Sequence, residues 1–245
     1  YLLPYHTFIN NDTTINVLKY MEKQVESKQK IFYHIYTKSE MDSDISKQNT
    51  GLFFFKGQAD APFAMICAGG GFSYVGSIHE AYPHAIELSQ KGYNAFVLQY
   101  RLTPSEAEKD LARAISYVFH HSHYFKINTK GYSLWGSSAG ARMVAYIGSY
   151  GVAYFGGENL PKPSTVIMAY TGHTDYSKSE VPTFAIVGED DYIASPKIMK
   201  QRINNLKKLG IDAKIIVYPN LSHGFGLGIG TSAEGWINDA ISFWK

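Results

Sequence analysis

Cysteine is almost missing: the chain has 245 residues and one cysteine, Cys67. A lone thiol closes no internal disulfide and cannot build a cysteine-based zinc site, so both scaffolds are excluded. An excess of one charge is also lacking, with Lys+Arg 23 against Asp+Glu 21 and a formal net charge of +2. No clustered basic face is present to neutralise phosphates, and no nucleic-acid partner is expected. No apolar run approaches the roughly 20 residues that cross a bilayer, so no membrane partner is expected. The first ten residues show no basic segment followed by an apolar one. The low cysteine content leans towards the cytoplasm; because the chain begins at Tyr1, export stays open if a leader preceded it. Repeats, low-complexity tracts and Pro- or Gly-rich linkers are absent as well. One domain over residues 1–245 is therefore expected, with residues 1–30 as an N-terminal segment that covers the site or reaches a partner subunit in a homo-oligomer.

The composition that remains, 45% hydrophobic and 18% charged, is ordinary for a globular chain able to bury a sizeable core. Apolar and β-branched runs recur at 31–36, 52–55, 63–67, 93–98, 132–135, 165–169, 183–187 and 213–218. Helical periodicity fills 14–25, 79–91, 106–117, 139–149, 196–209 and 233–244, while the polar stretch 41–50 reads as an exposed loop. Strands alternating with helices of this length need right-handed crossovers. They predict an α/β fold: a mostly parallel eight-stranded sheet with helices on both faces and the first two strands antiparallel. In such sheets ligands bind beyond the carboxyl ends of the strands, so the loops after the strands are where chemistry is sought.

After the run 132–135 comes Gly136-Ser137-Ser138-Ala139-Gly140, followed at once by helical periodicity. Strand, tight turn and helix are the context in which G-x-S-x-G presents a nucleophile, here Ser138. The competing reading is a plain helix cap. After Cys67 stands Ala68-Gly69-Gly70-Gly71-Phe72, a loop able to point backbone N–H groups at a substrate oxygen. Gly70, Gly71 and Ala139 are the expected oxyanion donors. The loop lacks the spacing of a dinucleotide or P-loop motif.

A serine hydroxyl needs a base, and the base needs an orienting acid. His223, in Ser222-His223-Gly224 past the last strand, is the expected base. Asp191, three residues after Gly188, is the expected acid, with Asp190 and Asp175 kept as alternatives. The order Ser138, Asp191, His223 is the chain order of the α/β-hydrolase triad. On these residues, with Tyr100-Arg101-Leu102, the sequence over about 53–225 resembles the α/β-hydrolase superfamily, and within it the compact esterases of the hormone-sensitive-lipase and acetyl-esterase kind, acetylxylan-esterase-like enzymes included. One departure is Ala68, where many such esterases carry a histidine that braces the glycine loop.

The resemblance implies a serine esterase acting through an acyl-enzyme, with no cofactor and no metal. Residues 170–182 leave no room for a large cap, and Phe72, Tyr74, Tyr170, His173, Tyr192 and Phe225 are the expected pocket walls, suited to short acyl esters. An acetylated carbohydrate as the small-molecule ester substrate follows by analogy alone. Peptidase, acyltransferase and non-catalytic ligand-binding readings are the rivals. His120, His121 and His123 point in different directions along one helical turn and read as solvated, not as a zinc cluster. Asp110 reads as a structural carboxylate at a helix start, and Lys200, Arg202, Lys207 and Lys208 as a solvated helix face.

Overall fold

A strand that is apolar along its whole length is buried on both faces, and β3 (Pro62–Cys67) is such a strand at the centre of the sheet. The computed structural model describes residues 7–245. Eight strands pair in the order β1-β2-β4-β3-β5-β6-β7-β8, where β1 is Phe32–His34, β2 Gly51–Phe55, β4 Asn94–Gln99, β5 Asn128–Ser137, β6 Thr165–Ala169, β7 Thr183–Gly188 and β8 Ala213–Tyr218. β1 and β2 pair antiparallel, β2 lies antiparallel to β4, and every other pairing is parallel. The expected fold class and the antiparallel start are both present.

The strand order dictates where the helices go. The crossover from β3 to β4 runs towards one edge and that from β4 to β5 runs back over β3. Two right-handed crossovers of opposite direction put their helices on opposite faces. α3 (Ser77–Glu80) and α4 (Tyr82–Gln90) therefore cover one face, and α5 (Pro104–His120) with the short α6 (Ser122–Phe125) that follows it, α7 (Ala139–Tyr150) and α8 (Pro196–Lys208) the other. The N-terminal α1 (Asn11–Glu26), capped by the Asn10 side chain on the Thr13 N–H at 2.9 Å, packs on α3 and α4. α9 (Trp236–Trp244) closes the same face, its Trp236 ring edge-on to His84 of α4. Cys67 ends β3 wholly buried.

Four expectations need correction. Residues 41–50 are not a plain loop: α2 (Lys38–Ser43) opens with a reciprocal Thr37/Glu40 cap and a 3-10 turn follows over Ile45–Lys47. The helix expected over 79–91 is broken at Ala81, because Pro83 has no N–H to carry α3 on into α4. The last helix begins at Trp236 and not at 233, since Gly235 sits at φ +85°, outside the right-handed helical region. Asp110 is not at a helix start. It lies inside α5, fully buried, and accepts the Arg101 backbone N–H at 2.8 Å, its guanidinium at 2.7 Å and the Tyr36 hydroxyl at 2.5 Å. Arg101 also reaches Glu106 and Asp44, so the Tyr-Arg-Leu segment after β4 ties the edge hairpin and α2 to α5.

Candidate active site

The chain passes from β5 into α7 through a single residue, Ser138, at φ 50° and ψ −114°. A non-glycine residue held there stores about 1–3 kcal/mol of strain, sustained only by surroundings that fix it. Those surroundings are visible. A methyl group on Gly136 would lie 2.4 Å from the Gly140 carbonyl oxygen, and one on Gly140 would lie 2.1 Å from the Cys67 carbonyl oxygen. Both flanking positions admit only glycine. The Ser138 N–H donates to Ala169 O at 2.9 Å, fastening the turn to β6.

The imidazole of His223 stands over this serine. Its Nε2 is 3.0 Å from Ser138 Oγ, and its Nδ1 is 2.8 Å from Asp191 Oδ2. The carboxylate assigns the ring proton to Nδ1, leaving Nε2 as the acceptor for the serine proton. Asp191 Oδ1 accepts the N–H groups of Ile193 at 2.9 Å and Ala194 at 2.7 Å, so both carboxylate oxygens are engaged. Asp191 is 4% exposed and His223 5%. Of the alternative acids, Asp190 is exposed, and Asp175 instead accepts the Tyr150 hydroxyl at 2.7 Å.

On the other side of Ser138 runs the glycine loop, with Gly70 at φ 129° and Gly71 at φ 61°. The N–H groups of both make no hydrogen bond among the described residues, and both residues line a cleft with Ser138 and His223. Ala139 supplies the first N–H of α7, which has no partner within the helix. Where the sequence lacks the bracing histidine, the Tyr100 hydroxyl donates to Ala68 O at 2.7 Å and the Glu80 carboxyl accepts the Gly69 N–H at 2.6 Å.

Two clefts meet at Ser138. The larger, about 370 Å³, is lined by Phe72, Arg142, Tyr146, Thr171, His173 and Asp175 among others. The smaller, about 100 Å³, is lined by Gly70, Tyr74, Gly76, His79, Glu80 and Ile193. Of the expected pocket walls, Phe72, Tyr74 and His173 line these clefts and the other three do not. Tyr170 and Phe225 are buried behind the imidazole, the Tyr170 ring 5.0 Å from His223 and 4.7 Å from Phe225, so they pack behind that ring without lining the clefts. Tyr192 is 87% exposed. The turn that gives the Ile193 and Ala194 N–H groups to Asp191 brings Ile193 to the cleft and leaves Tyr192 outside.

Arg142, Tyr146 and Ile193 were not foreseen. The first two stand four residues apart on α7, one turn after the serine, and that spacing was the available signal. Burial pushes His173 down to about 4, the nearby Arg202 charge acting in the same direction. Burial pushes the Glu80 carboxyl up, against the opposing pull of His79, the Gly69 N–H and His223.

The solvated helix face expected on α8 loses one member: Arg202 is 2% exposed, donates to Glu180 Oε1 at 2.8 Å and to Asp175 O at 3.0 Å, and so faces inward. His120 pairs with Glu158, and the His121 ring stacks on Tyr117. No group of three His, Cys, Asp or Glu side chains among the described residues is arranged to hold a metal. No helix among them is long and apolar enough to cross a membrane. The described part of the N-terminal segment, residues 7–30, lines neither cleft at Ser138, and residues 1–6 lie outside the described residues.

The family model BD-FAE matches residues 52–159, a stretch that holds the glycine loop and the serine turn and ends before Asp191 and His223. No curated protein is significantly similar to the chain. Among solved structures, an acetyl ester-xyloside bifunctional hydrolase from Caldicellulosiruptor lactoaceticus superposes with TM-score 0.74 at 19% identity, over 86% of this chain and 96% of that one. A thermophilic esterase from Thermogutta terrifontis gives TM-score 0.70 at 13% identity, over 86% and 89%. A sugar hydrolase from Lactococcus lactis gives 0.67 at 18% identity, over 81% and 97%.

Proposed function

We propose that this chain, whose fold is that of the α/β-hydrolases, is a serine carboxylester hydrolase. The observation that carries the reading is the continuous path from Ser138 Oγ to His223 Nε2 at 3.0 Å and from His223 Nδ1 to Asp191 Oδ2 at 2.8 Å, set on a turn that presents the hydroxyl to two clefts. Ser138 Oγ attacks the ester carbonyl carbon while His223 Nε2 takes its proton, and the carbonyl oxygen becomes an oxyanion. The N–H groups of Gly70, Gly71 and Ala139 receive that charge. The imidazolium, steadied by Asp191, returns the proton to the departing alcohol oxygen. The C–O bond breaks and an acyl-Ser138 ester remains. Water enters with His223 as base, and the same steps release the acid and restore the hydroxyl.

An ester with its carbonyl at Ser138 places its two halves in the two clefts. A space of about 100 Å³ suits a short acyl group, and one of about 370 Å³ suits a larger alcohol part. Arg142, Thr171, Thr174 and Asp175 give the larger cleft hydrogen-bonding groups fit for a polyhydroxyl alcohol such as a sugar. The acetyl ester-xyloside and sugar hydrolases among the similar structures point the same way.

A fluorophosphonate probe tests the class. The wild type takes the label at Ser138, Ser138→Ala takes none, and its esterase kcat falls by about 10⁴-fold or more. A wild-type chain left unlabelled under turnover conditions sinks the reading.

A further inference from the structure

The glycine loop raises a question that the Ser138–His223–Asp191 path leaves open. Three consecutive glycines have wide backbone freedom, yet an oxyanion site is effective only when its donors are already aimed. Something must hold Gly69-Gly70-Gly71 in place, and the structure shows what does. The Gly69 carbonyl accepts the Gly76 N–H at 2.9 Å, and the Gly69 N–H donates to Glu80 Oε2 at 2.6 Å. Residues 76–80 thus clamp both polar groups of Gly69, and Glu80, which holds its N–H, is 8% exposed. The clamp is tight against the nucleophile. A methyl group on Gly69 would lie 2.5 Å from Glu80 Oε2 and 2.9 Å from Ser138 Cβ, so Gly69 is sandwiched between them. Glu80 also lines the smaller cleft with Gly70, Gly71, Ser138 and His223.

We propose that Glu80 is a positioning residue of the oxyanion site: by accepting the Gly69 N–H it fixes the backbone that presents the Gly70 and Gly71 N–H groups to the oxygen of the intermediate. The inference rests on the serine-esterase reading above. The groups facing Glu80 are His79, His223, Tyr170 and the Gly69 N–H, and burial raises the carboxyl. The part it plays towards Gly69 is that of an acceptor, which an amide oxygen also fills.

Two variants separate acceptor from charge and from packing. Glu80→Gln keeps the acceptor, and its kcat stays within about threefold of wild type. Glu80→Met keeps the length and loses the acceptor. Its kcat falls by about 10–100-fold with KM within threefold, and its inhibition constant for a boronic acid that becomes tetrahedral on Ser138 rises by the same factor. An unchanged kcat in Glu80→Met, a loss confined to KM, or equal damage in Glu80→Gln overturns the proposal. Thermal unfolding checks each fold. If Glu80→Met does not fold, the Gly69 amide proton decides. It resonates far downfield and exchanges slowly in both wild type and Glu80→Gln, and an ordinary, fast-exchanging Gly69 amide overturns the proposal. Fluorophosphonate labelling keeps the two failures apart. A wild type that fails to label refutes the esterase reading, whereas wild type and Glu80→Met labelling at Ser138 with equal rates refute the role of Glu80 alone.

Discussion

Gly140 has no room for a side chain, because its missing Cβ is where the Cys67 carbonyl oxygen passes. Gly140→Ala therefore forces β3 and α7 apart. It is expected to cost about 1–3 kcal/mol of stability and to lower kcat, measured by denaturant unfolding and ester turnover. Two buried histidines add a pH dependence. Burial holds His84 at about 3 and His173 at about 4, both below the ordinary 6.5. Below pH 6.5 the unfolded chain takes up protons that the folded chain does not. Their stabilisation is thus present above 6.5 and lost as pH falls towards 4 and 3. The melting temperature is expected to drop steadily across that window, and His84→Phe, which removes one titrating ring, to flatten the drop. An unchanged slope in His84→Phe refutes the assignment. At this scale the sequence spoke through chemistry: Ser138, Asp191 and His223 are residue types that fit one reaction, and the structure brings them within hydrogen-bonding distance. It was silent on Tyr192 against Ile193, since which of two neighbours faces a cleft depends on the turn around Asp191. Glu80 was hidden because its partner is a backbone N–H.

At the scale of elements, α8 and the 170–182 segment are joined by a buried charge pair. Arg202 donates to Glu180, which also accepts the Ser149 hydroxyl at 2.5 Å from the end of α7. Arg202→Met leaves a buried carboxylate without its cation and is expected to cost about 3–5 kcal/mol by chemical denaturation. Adding Glu180→Leu restores part of that loss, and a double variant no more stable than the single one refutes the pairing argument. Strands were legible because apolar runs of five or six residues bounded by turn residues, such as 63–67 and 183–187, have few other uses. Helix ends were less so. The break at Ala81 needed Pro83 to be weighed against a long apolar period, and the inward turn of Arg202 needed the position of Glu180, which lies on another element.

Across the whole molecule, the strand order puts the candidate site at the carboxyl end of the sheet, where the connection from β6 to β7 is only the short segment 170–182. No lid is present among the described residues to fold over a long chain. With p-nitrophenyl esters of rising acyl length, kcat/KM is expected to be highest for acetyl to butyryl and to fall at least tenfold by octanoyl. A preference for octanoyl sinks the short-acyl assignment. The α/β alternation made this architecture readable, whereas the packing of α1 on α3 and α4 had no signature beyond its amphipathic period.

The single thiol draws these scales together. Cys67 ends the central strand, and its burial raises the sulfhydryl well above its ordinary range, so reagents in solution meet neither an accessible sulfur nor a thiolate. Modification must wait until the layer packed over the sheet opens. The rate at which an aromatic disulfide colours a native sample therefore clocks the opening of the packing over the central strand, a built-in stopwatch that requires no engineered label.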